Sequence, residues 1–253
     1  MTSNPLTFAA TTPIEAVAFS TLEGVIQTGG SALQLDKLPA GVVAGNTLID
    51  YSGTASDEMR SAVSLAMVFA GRVAAKQVGK DAQEDERLAA YQTALGQLGF
   101  SVGGTAMQRA HFSRKGLLVH KAIIPFLTIA LGGAGVGPVI LAALNNLQEM
   151  DQDRPWVTLF DRESRRHESR ELHFAAIASD ATTTTIRHVI ARLAYEATMT
   201  NVLFLKIDDV TAEFESATTQ IIGNNQLLAT IAPTLRERMA QDIGGYIATV
   251  GDI

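Results

Sequence analysis

The chain contains no cysteine. Disulfides, thiolate nucleophiles and Cys-ligated zinc or iron are therefore excluded from its fold and its chemistry. Aromatic residues make up 6% of its 253 residues, with a single tryptophan, so large rings are scarce as core anchors. Twenty basic residues against 26 acidic ones leave a formal net charge of −6, and no basic tract stands out. Nucleic acid is not an expected partner of such a chain. Net charge would not draw it to anionic lipid either, so membrane binding has to come from apolar burial. The N-terminal MTSNPLTFAATTP lacks the basic stretch and apolar core of a signal peptide. The expectation is synthesis as a soluble cytoplasmic protein.

Familiar catalytic signatures are missing too. The glycines at 132–137 fail the G-x-G-x-x-G pattern, because the sixth position is Pro138 when counted from Gly133 and Ile140 from Gly135. Gly79-Lys80 is followed by Asp81 and preceded by Ala74 where a phosphate-binding loop needs its first glycine. There is no G-x-S-x-G elbow and no H-E-x-x-H helix. The reading is of a protein that is not an enzyme and holds no metal.

What is present is one long uncharged stretch, residues 122–147, AIIPFLTIALGGAGVGPVILAALNNL. Its length suffices for a membrane span of ~20 residues. Its middle does not, since Gly132, Gly133, Gly135, Gly137 and Pro138 break a helix. The stretch reads as two apolar arms, 123–131 and 138–144, joined by a glycine hinge, with Pro138 placed for the first turn of the second arm.

Around these arms the pattern is helices first, then strands closed by helices. Ser56 caps a helix in which Met59, Val63, Ala66, Ala70 and Val73 repeat at helical spacing up to Gly79. A second helix runs from about 83 to 98 and stops at Gly99. Ser113 is placed to open a third, leading into the arms. Residues 156–160 and 172–178 read as strands joined by a solvated loop (DRESRRHESRE), with Asp180 capping a helix over 186–197. VLFLKI at 202–207 reads as a central strand buried on both faces, 210–215 as a half-buried one, and Pro233 as the start of a last helix. Residues 1–55 read as an irregular N-terminal arm of the same domain that 56–253 completes, with Pro5–Thr11 strand-like and 28–54 rich in turn formers. The fold class is α+β, with helices covering a mainly antiparallel sheet.

Candidate polar sites are few. His167, Glu168 and His173 group in sequence, and a solvated loop accounts for them better than a metal. His111, His120 and His188 stand alone. Asp208, Asp209, Glu213 and Glu215 offer hard oxygen ligands for Ca²⁺, but an exposed turn and the polar face of a strand account for them better. Trp156 has two readings, core packing and an amphipathic anchor at a membrane interface.

The order of SDEMRSAVSLAMVFAGRVAA (56–75), IALGGAGVGPVILAALNNL (129–147), WVTLF (156–160), ELHFAAIASD (171–180), VLFLKI (202–207) and VTAEFESATTQII (210–222) resembles the Cyt-like cytolysins. These are the cytolytic delta-endotoxins and volvatoxin, with the related Erwinia virulence factor Evf. The resemblance implies a single three-layer domain, a mainly antiparallel β-sheet flanked by α-helical hairpins. It also implies a bacterial toxin or virulence factor released to act on target-cell membranes, converting from a soluble to a lipid-bound state and permeabilising the membrane, with homo-oligomers on the membrane. The alternative it implies is a soluble factor that binds fatty acid or lipid without forming a pore. An acyl chain on cysteine is part of the Evf-like picture and is excluded here, so a fatty acid would have to be held non-covalently. Phe126, Ile129, Leu131, Val139, Leu141, Trp156, Phe174 and Phe204 are the expected lipid- or membrane-binding residues, and Gly132, Gly133, Gly135 and Gly137 the hinge.

Overall fold

The structure, a computed structural model, describes residues 4–16, 33–79, 81–104, 106–112, 117–133, 137–151, 153–164, 171–194, 206–207, 212–240 and 243–250. Its helices are α1 (Pro5–Thr11), α2 (Asp57–Val78), α3 (Glu84–Gln97), α4 (Val119–Leu131), α5 (Pro138–Asn146), α6 (Pro155–Ser164) and α7 (Asn225–Met239). Its strands are β1 (Gly41–Ala44), β2 (Thr47–Asp50), β3 (Ser101–Val102), β4 (Ala106–Phe112), β5 (Leu117–Leu118), β6 (Glu171–Ser179), β7 (Thr183–Ala194), β8 (Lys206–Ile207), β9 (Ala212–Asn224) and β10 (Ile247–Thr249). The main sheet has the order β10-β1-β2-β6-β7-β9-β3, and β4 continues the edge along β9. All its pairings are antiparallel except β2 with β6.

Alternation along the strands divides the interior in two. Val42, Ala44, Ile49, Ala175, Ile177, Ile186 and Ile221 face one apolar cluster, shared with α1, α2, α3 and α7. Val43, Leu48, Leu172, Phe174, Val189 and Ala191 face another, shared with α4, α5 and α6. Successive strand residues point to opposite faces, so a sheet covered on both sides has two cores. The chain is α+β, with helices on each face of a mainly antiparallel sheet.

Elements with strong local signals fall where the sequence puts them. Ser56 accepts from the Met59 N–H and caps α2, which ends at Gly79. α3 carries a capping box between Gln83 and Glu86 and stops before Gly99, whose φ is +93°. The strand at β6 and the two arms, α4 and α5, also form as expected.

Several segments differ. Trp156–Phe160 is not a strand but the first half of α6. Trp156, Val157 and Phe160 are buried with Asp161 and Ser164, a helical stripe, and Pro155 pre-sets the first turn. The charged run to Glu171 is therefore no solvated loop at its ends: Asp161 and Ser164 are buried in α6 and Glu171 in β6, while 165–170 lie outside the described residues. The segment after Asp180 is the long strand β7, not a helix. Asp180 accepts from Thr182 and Thr183 N–H groups as an N-cap would, but the turn closes the β6–β7 hairpin through Asp180 N–H to the Thr183 carbonyl. Burial on both faces erases the two-residue period, leaving a spacing of Ile186, Val189 and Ile190 that mimics a helix.

Pro5–Thr11 is helical because Asn4 caps it and Pro5 occupies its first position. Residues 41–50 are not irregular; β1 and β2 sit inside the sheet, joined at Gly45–Asn46. Pro233 lies inside α7, which Asn224 opens by accepting from Leu227 N–H. Ser113 and residues 202–205 lie outside the described residues. Leu117–Leu118 form a strand before α4 and pair with Lys206–Ile207 in a separate two-stranded ladder.

Candidate functional site

The two apolar arms fold as a helical hairpin, α4 and α5, against the sheet face bearing Phe174 and Val189. α4 ends in a double hydrogen-bonded turn. Gly132 N–H donates to the Ile129 carbonyl and Gly133 N–H to that of Thr128, at 3.0 and 2.7 Å. This Schellman geometry needs a left-handed residue, which Gly132 supplies with φ +104°. α5 begins at Pro138 behind Gly137, also left-handed.

Two side chains from the sheet reach the ends of these helices. Arg187 of β7 donates from Nη1 to the Leu131 carbonyl at 2.6 Å, filling an acceptor that the helix end leaves open. Asp50 of β2 is buried, and its Oδ2 accepts from Val139 N–H at 2.6 Å and Ile140 N–H at 3.4 Å. Gly137 has no side chain with which to cap α5, so a residue from another element does it. A Cβ on Gly132 would stand 1.8 Å from Arg187 Nη1, whereas one on Gly133, at φ +110°, meets nothing within 4 Å. Gly132→Ala should therefore cost more than Gly133→Ala, whose loss is the backbone strain alone, about 1–2 kcal/mol. Urea denaturation of both variants measures the difference, and equal losses would mean the Arg187 contact contributes nothing.

The expected lipid-contact residues separate into three groups. Leu131, Trp156 and Phe174 are fully buried in the core beneath the hairpin, with Phe174 and Phe160 ring centroids 5.8 Å apart. Trp156 is 1% exposed, the core-packing reading and not the interfacial one. Phe126, Val139 and Leu141 are half-buried, and Ile129 is 81% exposed on α4. Phe204 and Gly135 lie outside the described residues, as do His167, Glu168, Asp208 and Asp209.

On the opposite sheet face lies a polar cluster that the sequence did not reveal. Glu171 and His173 are alternate residues of β6, hence on one side, and His188 and Arg192 project beside them from β7. His173 Nε2 lies 3.1 Å from Glu171 Oε2, and because an ionised carboxylate only accepts, the ring donates there. His173 Nδ1 and His188 Nε2, 3.2 Å apart, share one hydrogen. Arg192 pairs with Glu171 and, at 2.7 Å, with Asp85 of α3, while Tyr91 of α3 packs its ring over His188.

Burial holds the His188 pKa well below its ordinary value, and the neighbouring His173 adds to this. Burial would raise the Glu171 carboxyl, but the hydrogen bond and charge of His173, with Arg192, bring it below the usual range. Burial raises the Tyr91 phenol, and Tyr51 adds to this. Both ring nitrogens of His173 are engaged, which leaves no lone pair for base catalysis. Among the described residues no group of three His, Asp or Glu side chains is arranged for a metal. A cavity of about 110 Å³ adjoins the cluster, lined by Arg72, Arg87, Tyr91, Glu171, His173 and Tyr246 among others. The cluster fastens α3 to the centre of the sheet.

No protein-family model matches this chain, and no curated protein sequence matches it.

Proposed function

We propose that the protein is membrane-active: the α4–α5 hairpin leaves the sheet and enters a lipid surface, and the bound protein permeabilises it as a Cyt-like cytolysin does. One observation carries this reading. A hairpin without a single charge between 122 and 147 forms an outer layer of the fold, and it turns Ile129 to solvent with Phe126 and Leu141 half-buried. Burial is non-directional and scales with apolar area, so the apolar contacts that hold the hairpin to the sheet have equivalents in an acyl layer.

The dimensions favour insertion along the interface. At 13 and 9 residues, α4 and α5 are about 20 and 14 Å long, short of the ~30 Å hydrocarbon thickness. No helix among the described residues is long and apolar enough to cross a membrane. A leak then comes from crowding of one leaflet, or from the strands β6, β7 and β9, whose 9, 12 and 13 residues match the ~9–11 that a spanning strand needs. The fatty-acid-carrier reading has less support, because the cavity beside the histidines, about 110 Å³, falls below the ~300–1,000 Å³ usual for ligand pockets, and the wider cleft of about 390 Å³ is open and edged by Asp36, Glu58 and Arg236.

Dye release and co-flotation with zwitterionic and anionic liposomes test the proposal, using Ile129→Asp as the variant. Ile129 is exposed, so its replacement leaves the folded state nearly untouched. Flotation and release should both fall at least about tenfold, since a charge at the interface opposes apolar insertion. Wild-type protein that neither floats nor releases dye would sink the proposal; flotation without release would leave lipid binding and remove permeabilisation.

A further inference from the structure

We propose that Asp50 and Arg187 form a two-point polar latch that holds the bend of the α4–α5 hairpin closed and sets how readily the hairpin opens. The inference rests on the membrane-active reading and names the regulation of that same hairpin. Most of the hairpin's ties to the sheet are apolar and pass through residues such as Ile123, Leu127, Leu131, Ile140 and Leu144. A lipid phase can replace those contacts. It cannot replace a guanidinium on the Leu131 carbonyl, or a carboxyl on the Val139 and Ile140 N–H groups.

The placement of the two ties is specific. Leu131 ends α4 and Val139 lies in the first turn of α5, so they grip the hairpin immediately on either side of its glycine bend. They come from separate strands, β2 and β7, with β6 between them. The bend is thus fixed to the sheet at two points, and rotation about either one alone is blocked. Asp50 is itself held: its Oδ1 accepts from Ser52 N–H at 2.7 Å, which aims Oδ2 at α5. Gly132 completes the arrangement, because any side chain there would displace the Arg187 head. Loss of either tie frees helix-end groups that must find water before the hairpin can move. The latch therefore raises the free energy of local opening without adding to the apolar core.

Native-state hydrogen exchange separates this from a general stabilising role. Arg187→Gln is the primary variant, because Arg187 is exposed and its removal leaves both cores intact. Asp50→Asn, of the same shape, is the second. Each should speed exchange of the amides of α4 and α5 by roughly tenfold, while those of α2 and α7, in the other core, keep their rates. Unchanged exchange in α4 and α5 for Arg187→Gln, or an equal rise in all four helices, would overturn the latch. Liposome flotation is then run on the same variants. Faster local exchange with flotation at lower lipid concentration supports latch and membrane reading together. Faster exchange with no wild-type or variant flotation upholds the latch and overturns the membrane reading.

Discussion

Trp156→Ala is expected to cost about 3–5 kcal/mol of folding stability, the range for deleting a large aromatic from a packed interior. A domain of this kind has roughly 5–15 kcal/mol in total, so this single change removes a large share. Trp156 opens α6, which packs against β1, β6 and β10, and the side chain is 1% exposed in the cluster that also underlies the hairpin. Its indole Nε1 is buried with no hydrogen-bond partner among the described residues. That donor contributes nothing to hold the ring, so packing is its role. Trp156→Phe removes the unpartnered N–H along with part of the ring, and should lose under about 1.5 kcal/mol. Urea denaturation of the two variants decides it. A small loss for the alanine variant would place Trp156 outside the core and revive the interfacial anchor. As the chain's single tryptophan, it also reports directly: its emission in the free protein should resist quenching by acrylamide.

These assignments show which features were legible before the structure. α2, α3 and α5 were readable because their boundaries are written in neighbouring residues: Ser56 before Met59, Gln83 with Glu86, Gly99, and Pro138 after Gly137. α4 was readable only at its glycine end, since it starts at Val119 after the strand Leu117–Leu118 and not from Ser113. Their apolar spacing also has one consistent period. The glycine bend was readable as a bend for the same reason. β7 was not, since burial on both faces removes its alternation and leaves an accidental helical spacing. Trp156–Phe160 failed in the opposite sense, its aromatic and branched residues suggesting a strand where tertiary packing selects a helix. The polar features depended on pairing between distant segments. Asp50 caps a helix that begins 88 residues later, as the 138 of Pro138 shows, and His173 meets His188 only through the β6–β7 register. A Glu-x-His pair in a strand was a usable signal for Glu171 and His173, because alternate residues share a face. His188 carried no such signal.

Acid should destabilise the protein in two stages, and His188 is the group that begins it. Its folded pKa lies well below the ordinary 6.5, with burial the larger cause and His173 the second. The unfolded chain therefore takes up a proton at that position before the folded one does. Stability is full above about pH 6.5 and falls as pH drops below it, at about 1.4 kcal/mol per pH unit while one extra proton is bound by the unfolded state. Glu171 adds a second stage. Its carboxyl is held below the ordinary 4.5 chiefly by His173 and then Arg192, against the opposing effect of burial. Its contribution is present above pH 4.5 and is lost as pH falls through the folded value, when the pairings with His173 and Arg192 weaken. The charged and titratable groups around the pair include Arg192 on the sheet, Glu84, Asp85, Arg87 and Tyr91 on α3, and Arg72 on α2. Protonating His188 buries a charge against the His173 ring beneath α3, so the helix is the element expected to loosen first. Denaturation curves from pH 8 to 4 measure the total. His188→Leu isolates the first stage, because a leucine keeps the site apolar and removes the proton; its stability should stay nearly level between pH 6.5 and 4.5 and fall below that with Glu171. A variant that declines as steeply as the parent across that interval would assign the first stage to another group.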